Sequence, residues 1–124
     1  AGSSSIIADN IIRDTEHVAI RCNGDHMIIK SNQIINASYG CMANKTEFNY
    51  LTISDNHLQH CKKYAISLVS SNNIIKNNVI TDSKMAIRLA DKAERNKVTG
   101  NTGSNNDRNI RKGNATNTFS ENFK

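Results

Sequence analysis

The sequence predicts an all-β fold in which the chain winds into a parallel solenoid of four to five coils. Asparagine recurs at Asn10, Asn32, Asn56, Asn78 and Asn101, so the period is 22–24 residues. Apolar residues keep fixed places around each of these asparagines, and no stretch shows the 3.6-residue period of a helix. The 124 residues also include 19 Asn and 16 Ile but no Pro. This bias is typical of a repetitive architecture.

Apolar rows indicate where the strands of each coil lie. The position three residues before each repeat asparagine is always aliphatic, and so is the position two residues after the first four. About ten residues later, alternation of apolar residues indicates a second strand block. Equivalent residues of successive coils lie about 4.8 Å apart in a solenoid, so like residues are expected to stack. The rows are Ile7, Ile29, Ile53, Ile75 and Val98; Ile12, Ile34, Leu58 and Ile80; Ile20, Cys41, Ile66 and Ile87; and Val18, Tyr39, Tyr64 and Met85.

The repeated asparagines are expected to form a ladder inside the solenoid. Asparagine tolerates the left-handed backbone conformation that a bend requires. Its amide can also bond to the amides of the coils above and below. A single asparagine would indicate only a turn, whereas five in register predict an interior column.

The repeat divides the chain into three parts. Residues 1–5 are expected to form a linker or disordered lead-in, and residues 6–102 the coils. Residues 103–124 are expected to form a degenerate last coil or a capping tail, because the apolar rows dissolve there. A solenoid end exposes unpaired strand edges, which such a segment would cover.

Charge and hydropathy exclude a membrane-spanning protein. The longest apolar runs are two or three residues, too short to cross a bilayer, and the N-terminus lacks the order of a signal peptide. We therefore expect a soluble product with no membrane partner. The net charge of +5 is concentrated in residues 92–124, where 7 Lys/Arg face 3 Asp/Glu. This excess suits an acidic partner, although a merely soluble surface has the same composition.

The repeats resemble those of right-handed parallel β-helix proteins of the pectate-lyase-like superfamily. Segments 54–58 (Ser-Asp-Asn-His-Leu), 64–68 (Tyr-Ala-Ile-Ser-Leu) and 72–80 carry the resemblance, which covers residues 5–102. It implies a right-handed coil and a polysaccharide ligand, including an acidic one, because the superfamily contains polysaccharide lyases, hydrolases, epimerases and phage tailspikes. It also implies an extracellular or virion-associated location. A nucleic acid is not the expected partner.

Three function classes fit this resemblance. The first is a carbohydrate-associated segment of a phage tailspike or polysaccharide-active protein, which provides a binding surface or a scaffold. The second is part of a polysaccharide lyase, hydrolase or epimerase acting on an acidic glycan. The third is a structural trimeric shaft or assembly module. The corresponding protein partners are a homotrimer or the coils of a longer parent protein.

The candidate catalytic residues are His60 and Asp82, which lie one coil apart. A carboxylate can orient an imidazole for general acid or base chemistry. Lys62, Lys63 and Lys84 are close in sequence and could hold an anionic sugar. The outward rows contain no adjacent pair of acids, which hydrolases on this fold would use. Whether the chain is an enzyme therefore stays open.

The longest coil predicts a lateral loop over residues 43–50. Its Phe48 and Tyr50 are candidates for stacking on a sugar ring, with covering of the solenoid side as the alternative. The three cysteines show no C-x-x-C spacing and are expected to be small buried residues. The sequence predicts no metal site and no cofactor.

Overall fold

The chain alternates between two parallel sheets as it winds. A computed structural model describes residues 5–123, and all regular secondary structure in this range is β. About five turns stack into a solenoid, which confirms the predicted fold class. The strands are β1 (Ile6–Ala8), β2 (Ile11–Arg21), β3 (Ile28–Lys30), β4 (Gln33–Ala43), β5 (Thr52–Ser54), β6 (His57–Leu68), β7 (Ile74–Lys76), β8 (Val79–Thr81), β9 (Met85–Leu89), β10 (Lys97–Thr99), β11 (Arg108–Arg111) and β12 (Thr118–Ser120).

The first sheet takes one short strand from each coil. Its order is β1, β3, β5, β7, β10 and β12, and all neighbours are parallel. The central residue of each strand faces the interior, where β-branched side chains pack well against the next layer. The predicted row is confirmed in register, and the structure extends it by one residue. This row is Ile7, Ile29, Ile53, Ile75, Val98 and Phe119.

The second sheet is folded into two halves. Its order is β11, β9, β6, β4 and β2, and β8 also pairs with β6. The register shifts between Thr15 and Val18, and again between Ala37 and Tyr39, where the long strands bend. In the fourth coil the two halves are separate strands, β8 and β9. Each coil therefore has three faces separated by three corners.

Residues with positive φ build the corners. This conformation is sterically unfavourable for most residues, and Asn, Asp and His adopt it more readily than others. The same corner recurs in each coil, so these residues form three columns along the solenoid. The first corner holds Asp9, Ser31, Asp55, Asn77 and Gly100; the second holds Asp14, Asn36, His60, Asp82 and Asn105; the third holds His26, Tyr50, Asn72 and Arg95.

Aliphatic side chains and thiols fill the interior. Ile34, Leu58 and Ile80 are fully buried beside the first corner. Each aliphatic side chain removed from water in this way contributes about 1.5–3 kcal/mol. The predicted row of the second sheet is also confirmed and gains Ile110. It consists of Ile20, Cys41, Ile66, Ile87 and Ile110.

The predicted asparagine ladder is confirmed and is longer than expected. Asn32 Nδ2 donates to Asn56 Oδ1 at 3.1 Å, and Asn56 Nδ2 donates to Asn78 Oδ1 at 3.0 Å. The column continues through Asn101 to Asn122, with the last bond at 2.8 Å. Among the described residues, no buried side-chain nitrogen or oxygen lacks a hydrogen-bond partner. A second ladder joins Asn73, Asn96 and Asn117.

The strands β11 and β12 follow the predicted boundary at residue 102 and stack on β9 and β10. The predicted lead-in at 1–5 lies outside the described residues except for Ser5. No helix within residues 5–123 is long and apolar enough to traverse a bilayer.

Candidate functional site

A surface concavity lies at the second corner, over the third, fourth and fifth coils. It is an open cleft of about 630 Å³, within the usual size range of ligand sites. We call it the corner cleft. It is lined by Gln59, His60, Cys61, Lys62, Asp82, Ser83, Lys84, Asn105 and Asp107.

Backbone geometry fixes the floor of the corner cleft. The Cys61 amide donates to Ser83 Oγ at 3.1 Å, and the Ser83 amide donates to Asn106 Oδ1 at 3.0 Å. The Asp107 amide donates to the Ser83 carbonyl at 3.0 Å. Cys61 and Ser83 are buried. The polar side chains above them therefore project from a frame that bonds between coils hold in place.

The two predicted catalytic residues share the corner cleft but are not bonded to each other. Asp82 Oδ1 accepts a hydrogen bond from Asn105 Nδ2 at 2.6 Å. No hydrogen bond joins His60 to Asp82, both of which lie in the part of the chain that the structure describes. Asp14 accepts from Asn36 in the same way at 2.8 Å, three coils below. Both predicted residues have positive φ, so the bend itself accounts for a His and an Asp in this column. Their catalytic role stays a prediction.

Asp107 and Asn105 are cleft residues that sequence reasoning missed. They lie after residue 102, where the apolar rows fade. Two weak signals could have extended the register: Ile110 lies 23 residues after Ile87, and Phe119 lies 21 after Val98. That register sets Asn105 beside the corner of the fourth coil and Asp107 one residue before β11.

Two lysines, two aspartates and one histidine line the corner cleft. Lys62, Lys84 and His60 are exposed, and they line the cleft together with Asp82 and Asp107. Ammonium groups can neutralise an anionic ligand group, while carboxylates and the Asn105 amide can bond to hydroxyls. The cleft therefore combines the groups that an acidic, hydroxyl-rich ligand needs.

A second concavity adjoins the corner cleft, and Lys63, the third predicted lysine, lines it. Its volume is about 450 Å³, and it shares Lys84 and Asp107 with the corner cleft. We call it the tyrosine cleft. It is lined by Tyr39, Lys63, Tyr64, Lys84, Met85, Asp107 and Arg108.

The two predicted aromatic contacts, Phe48 and Tyr50, do not share a cleft with the predicted lysines. Tyr50 lies at the third corner and stacks on His26, with ring centroids 5.0 Å apart and an interplanar angle of 4°. Phe48 is half-buried, with the Lys45 Nζ atom 5.9 Å from its ring centroid. Neither ring lines the corner cleft or the tyrosine cleft. Sugar stacking by Phe48 and Tyr50 stays a prediction.

Comparison with known proteins assigns the chain to a family. The family model described as periplasmic copper-binding protein (NosD) matches residues 1–123. The chain belongs to the NosD family. NosD proteins are a right-handed parallel β-helix family of the pectate-lyase-like superfamily, so the resemblance holds at this level without singling out any polysaccharide enzyme. No curated protein and no solved structure matches the sequence.

The described side chains of this NosD-family chain do not fit a copper site. Residues 5–123 contain no group of three or more His, Cys, Asp or Glu side chains arranged to hold a metal ion. Ligation by sulfur requires a thiolate. Burial raises the pKa of Cys22 to about 12 and that of Cys61 to about 11. Burial also raises the pKa of Cys41 well above its ordinary value. All three thiols are therefore protonated core residues at neutral pH.

Proposed function

We propose that this chain provides a carbohydrate-binding surface on a β-helix scaffold, and that the ligand is an acidic polysaccharide. The observation that supports this proposal is the corner cleft, in which Lys62, Lys84 and His60 face solvent beside Asp82 and Asn105. The residues come from neighbouring coils, so the stacking of the solenoid brings them together.

The physical basis is a rigid frame that carries exposed charge. Hydrogen bonds between coils hold the cleft floor, so little ordering is required when a ligand binds. The two exposed lysines can pair with carboxylate or sulfate groups of a glycan chain. The shape is an open cleft, which admits the middle of a polymer as readily as its end.

A location outside the cytoplasm fits this function. The NosD family is described as periplasmic, and polysaccharide chains are common ligands of the superfamily that the sequence resembles. We propose the periplasm, or the cell exterior, as the compartment. The family match lends no support to the alternative of a virion component.

Binding to immobilised and soluble glycans tests the proposal. We expect polygalacturonate and alginate to bind and neutral dextran not to bind, with affinity that falls as salt concentration rises. The variant Lys62→Ala/Lys84→Ala should weaken binding about tenfold or more, because it removes two charge-assisted contacts. The matched control is Lys30→Ala/Lys76→Ala, which makes the same charge change on exposed lysines of the first sheet. Equal loss in both double variants, or no acidic glycan bound, would refute the proposal.

The second candidate function is cleavage of the acidic glycan. It gains support from Asp82 and Asp107, two carboxylates that line one cleft although the sequence rows showed no such pair. Hydrolases use two carboxyl groups about 5–9.5 Å apart. Incubation with each acidic polysaccharide, followed by assays for reducing ends and unsaturated uronate, tests it. Product that disappears in Asp82→Asn and in Asp107→Asn would establish an enzyme, and absence of product would leave a binding surface.

A further inference from the structure

The tyrosine cleft adjoins the corner cleft. Lys84 and Asp107 line both, and they occupy neighbouring layers because Arg108 pairs with Met85. His60 and Tyr64, one from each cleft, are four residues apart in β6. The chain between them turns through the second corner at His60 and shifts register before Tyr64, so the two clefts meet at a bend. Together the clefts form one bent groove lined by residues of the second to fifth coils.

Two tyrosine rings of the tyrosine cleft each have a cation close to them. Tyr39 and Tyr64 have ring centroids 5.6 Å apart at an interplanar angle of 47°. The Lys63 Nζ atom lies 5.7 Å from the Tyr39 centroid, and the Arg88 Cζ atom lies 5.2 Å from the Tyr64 centroid. Such cation–π contacts hold long side chains in place beside the ring. The cations are therefore partly ordered before a ligand arrives.

The chemistry of this cleft differs from that of the corner cleft. Met85 forms an apolar floor and is 7% exposed, while Arg108 is exposed at the rim. Arg88, which does not line the cleft itself, donates a hydrogen bond from Nη1 to Ser67 Oγ at 3.3 Å. A guanidinium group can pair with a carboxylate or a sulfate through two parallel bonds. A tyrosine ring offers an apolar face to the C–H side of a sugar.

We infer that the tyrosine cleft is a second sugar-binding subsite, and that the ligand is an oligosaccharide with a carboxylate or sulfate on at least two of its sugars. The inference rests on the proposed function and deepens it. One charged sugar binds at Lys62 and Lys84, and the next stacks on Tyr64 with its anionic group near Arg108. The glycan chain then follows β6 around the second corner, across the solenoid axis.

Chain-length dependence tests the subsite. Galacturonic acid and its dimer and tetramer are titrated against the full chain by calorimetry, with sulfated dextran oligosaccharides of matched length as a second series. We expect the tetramer to bind more tightly than the monomer. Tyr64→Ala should raise the tetramer Kd about fivefold, as should Arg108→Ala, because each removes about 1 kcal/mol of contact. Both should leave the monomer Kd unchanged, and Tyr64→Phe should keep tetramer affinity.

Folding is monitored in every variant by circular dichroism and urea midpoint, and Arg108→Ala keeps the test valid if Tyr64→Ala does not fold. Weaker tetramer binding in Lys62→Ala but not in Arg108→Ala or Tyr64→Ala would overturn the subsite and leave the proposed function intact. No binding in either series would overturn both. Binding of the sulfated series alone, with the same dependence on Arg108, supports the subsite and assigns sulfate as the anion. Equal affinity and variant dependence for a single-stranded oligonucleotide would overturn the sugar assignment.

Discussion

Removal of one interior rung of the asparagine ladder should destabilise the whole solenoid. Asn78 is fully buried. Its Nδ2 donates to Asn101 Oδ1 and to the Ile53 carbonyl, both at 3.0 Å. Its Oδ1 accepts from the Asn56 amide and from Asn56 Nδ2, also at 3.0 Å. The substitution Asn78→Ala removes these four bonds at once.

The size of the stability loss depends on which hydrogen bonds the partners of Asn78 retain. The Asn56 amide loses its acceptor, and Asn56 Nδ2 keeps its bond to the Ile29 carbonyl. Asn101 Oδ1 still accepts from the Asn78 amide. One orphaned buried donor costs about 1–3 kcal/mol and three weakened groups cost less each, so the expected loss is about 4 kcal/mol. Urea unfolding followed by far-UV circular dichroism measures it.

The matched control is Asn10→Ala, in the same column but at an exposed position. Asn10 donates to Asn32 Oδ1 through both its amide and its Nδ2. Alanine keeps the amide bond and water can replace the Nδ2 contact, so the expected loss is about 1 kcal/mol or less. Equal losses at Asn10 and Asn78, or a loss below about 1 kcal/mol at Asn78, would show that buried amide bonding does not hold the coils together.

Three further outcomes follow from the interior. Gly40→Ala should cost about 1–3 kcal/mol in urea unfolding, because an added Cβ would collide with the Ala65 carbonyl and the Leu58 side chain; an unchanged midpoint would contradict this packing. The folded pKa values of Cys22 and Cys61, about 12 and about 11, exceed the ordinary value of 9.0, so the folded state keeps protons that the unfolded chain releases. Stability should therefore fall as pH rises above about 9, and urea midpoints at successive pH values, compared with those of Cys61→Ala, check this. Titration with Cu(I) against a coloured competing chelator should detect no stoichiometric copper bound to the thiols, and one ion per chain that is lost in Cys61→Ala would contradict their buried, protonated state.

Sequence patterns were sufficient for the winding and the interior. Rows such as Ile29, Ile53 and Ile75 repeat because each coil makes the same demand on that position, and repetition is visible without coordinates. The ladder was predictable for the same reason. Asn122 escaped notice because its coil lacks most of the apolar markers, although it continues the column that includes Asn101.

Side-chain partners at the corners could not be predicted in the same way. His60 and Asp82 were singled out as an imidazole and a carboxylate one coil apart, and they do share a cleft. The bond that Asp82 makes depends on Asn105, whose register a fading repeat does not reveal. Positive φ at both positions explains their residue types without reference to chemistry. In the sequence, a catalytic pair of His and Asp therefore has the same pattern as two corner residues that adopt positive φ.

The asparagine column also bears on how such a molecule changes in length over evolution. Each ladder amide donates in the same direction, and the spacing between successive members varies from 21 to 24 residues. A duplicated coil would form the same asparagine hydrogen bonds to the coils on either side. Whole coils can therefore be gained or lost without changes to the ladder residues. Deletion of one residue within a strand would instead swing core side chains toward water. Inherited length changes should accordingly collect at the corners and in the stretch 44–50, and spare the strands.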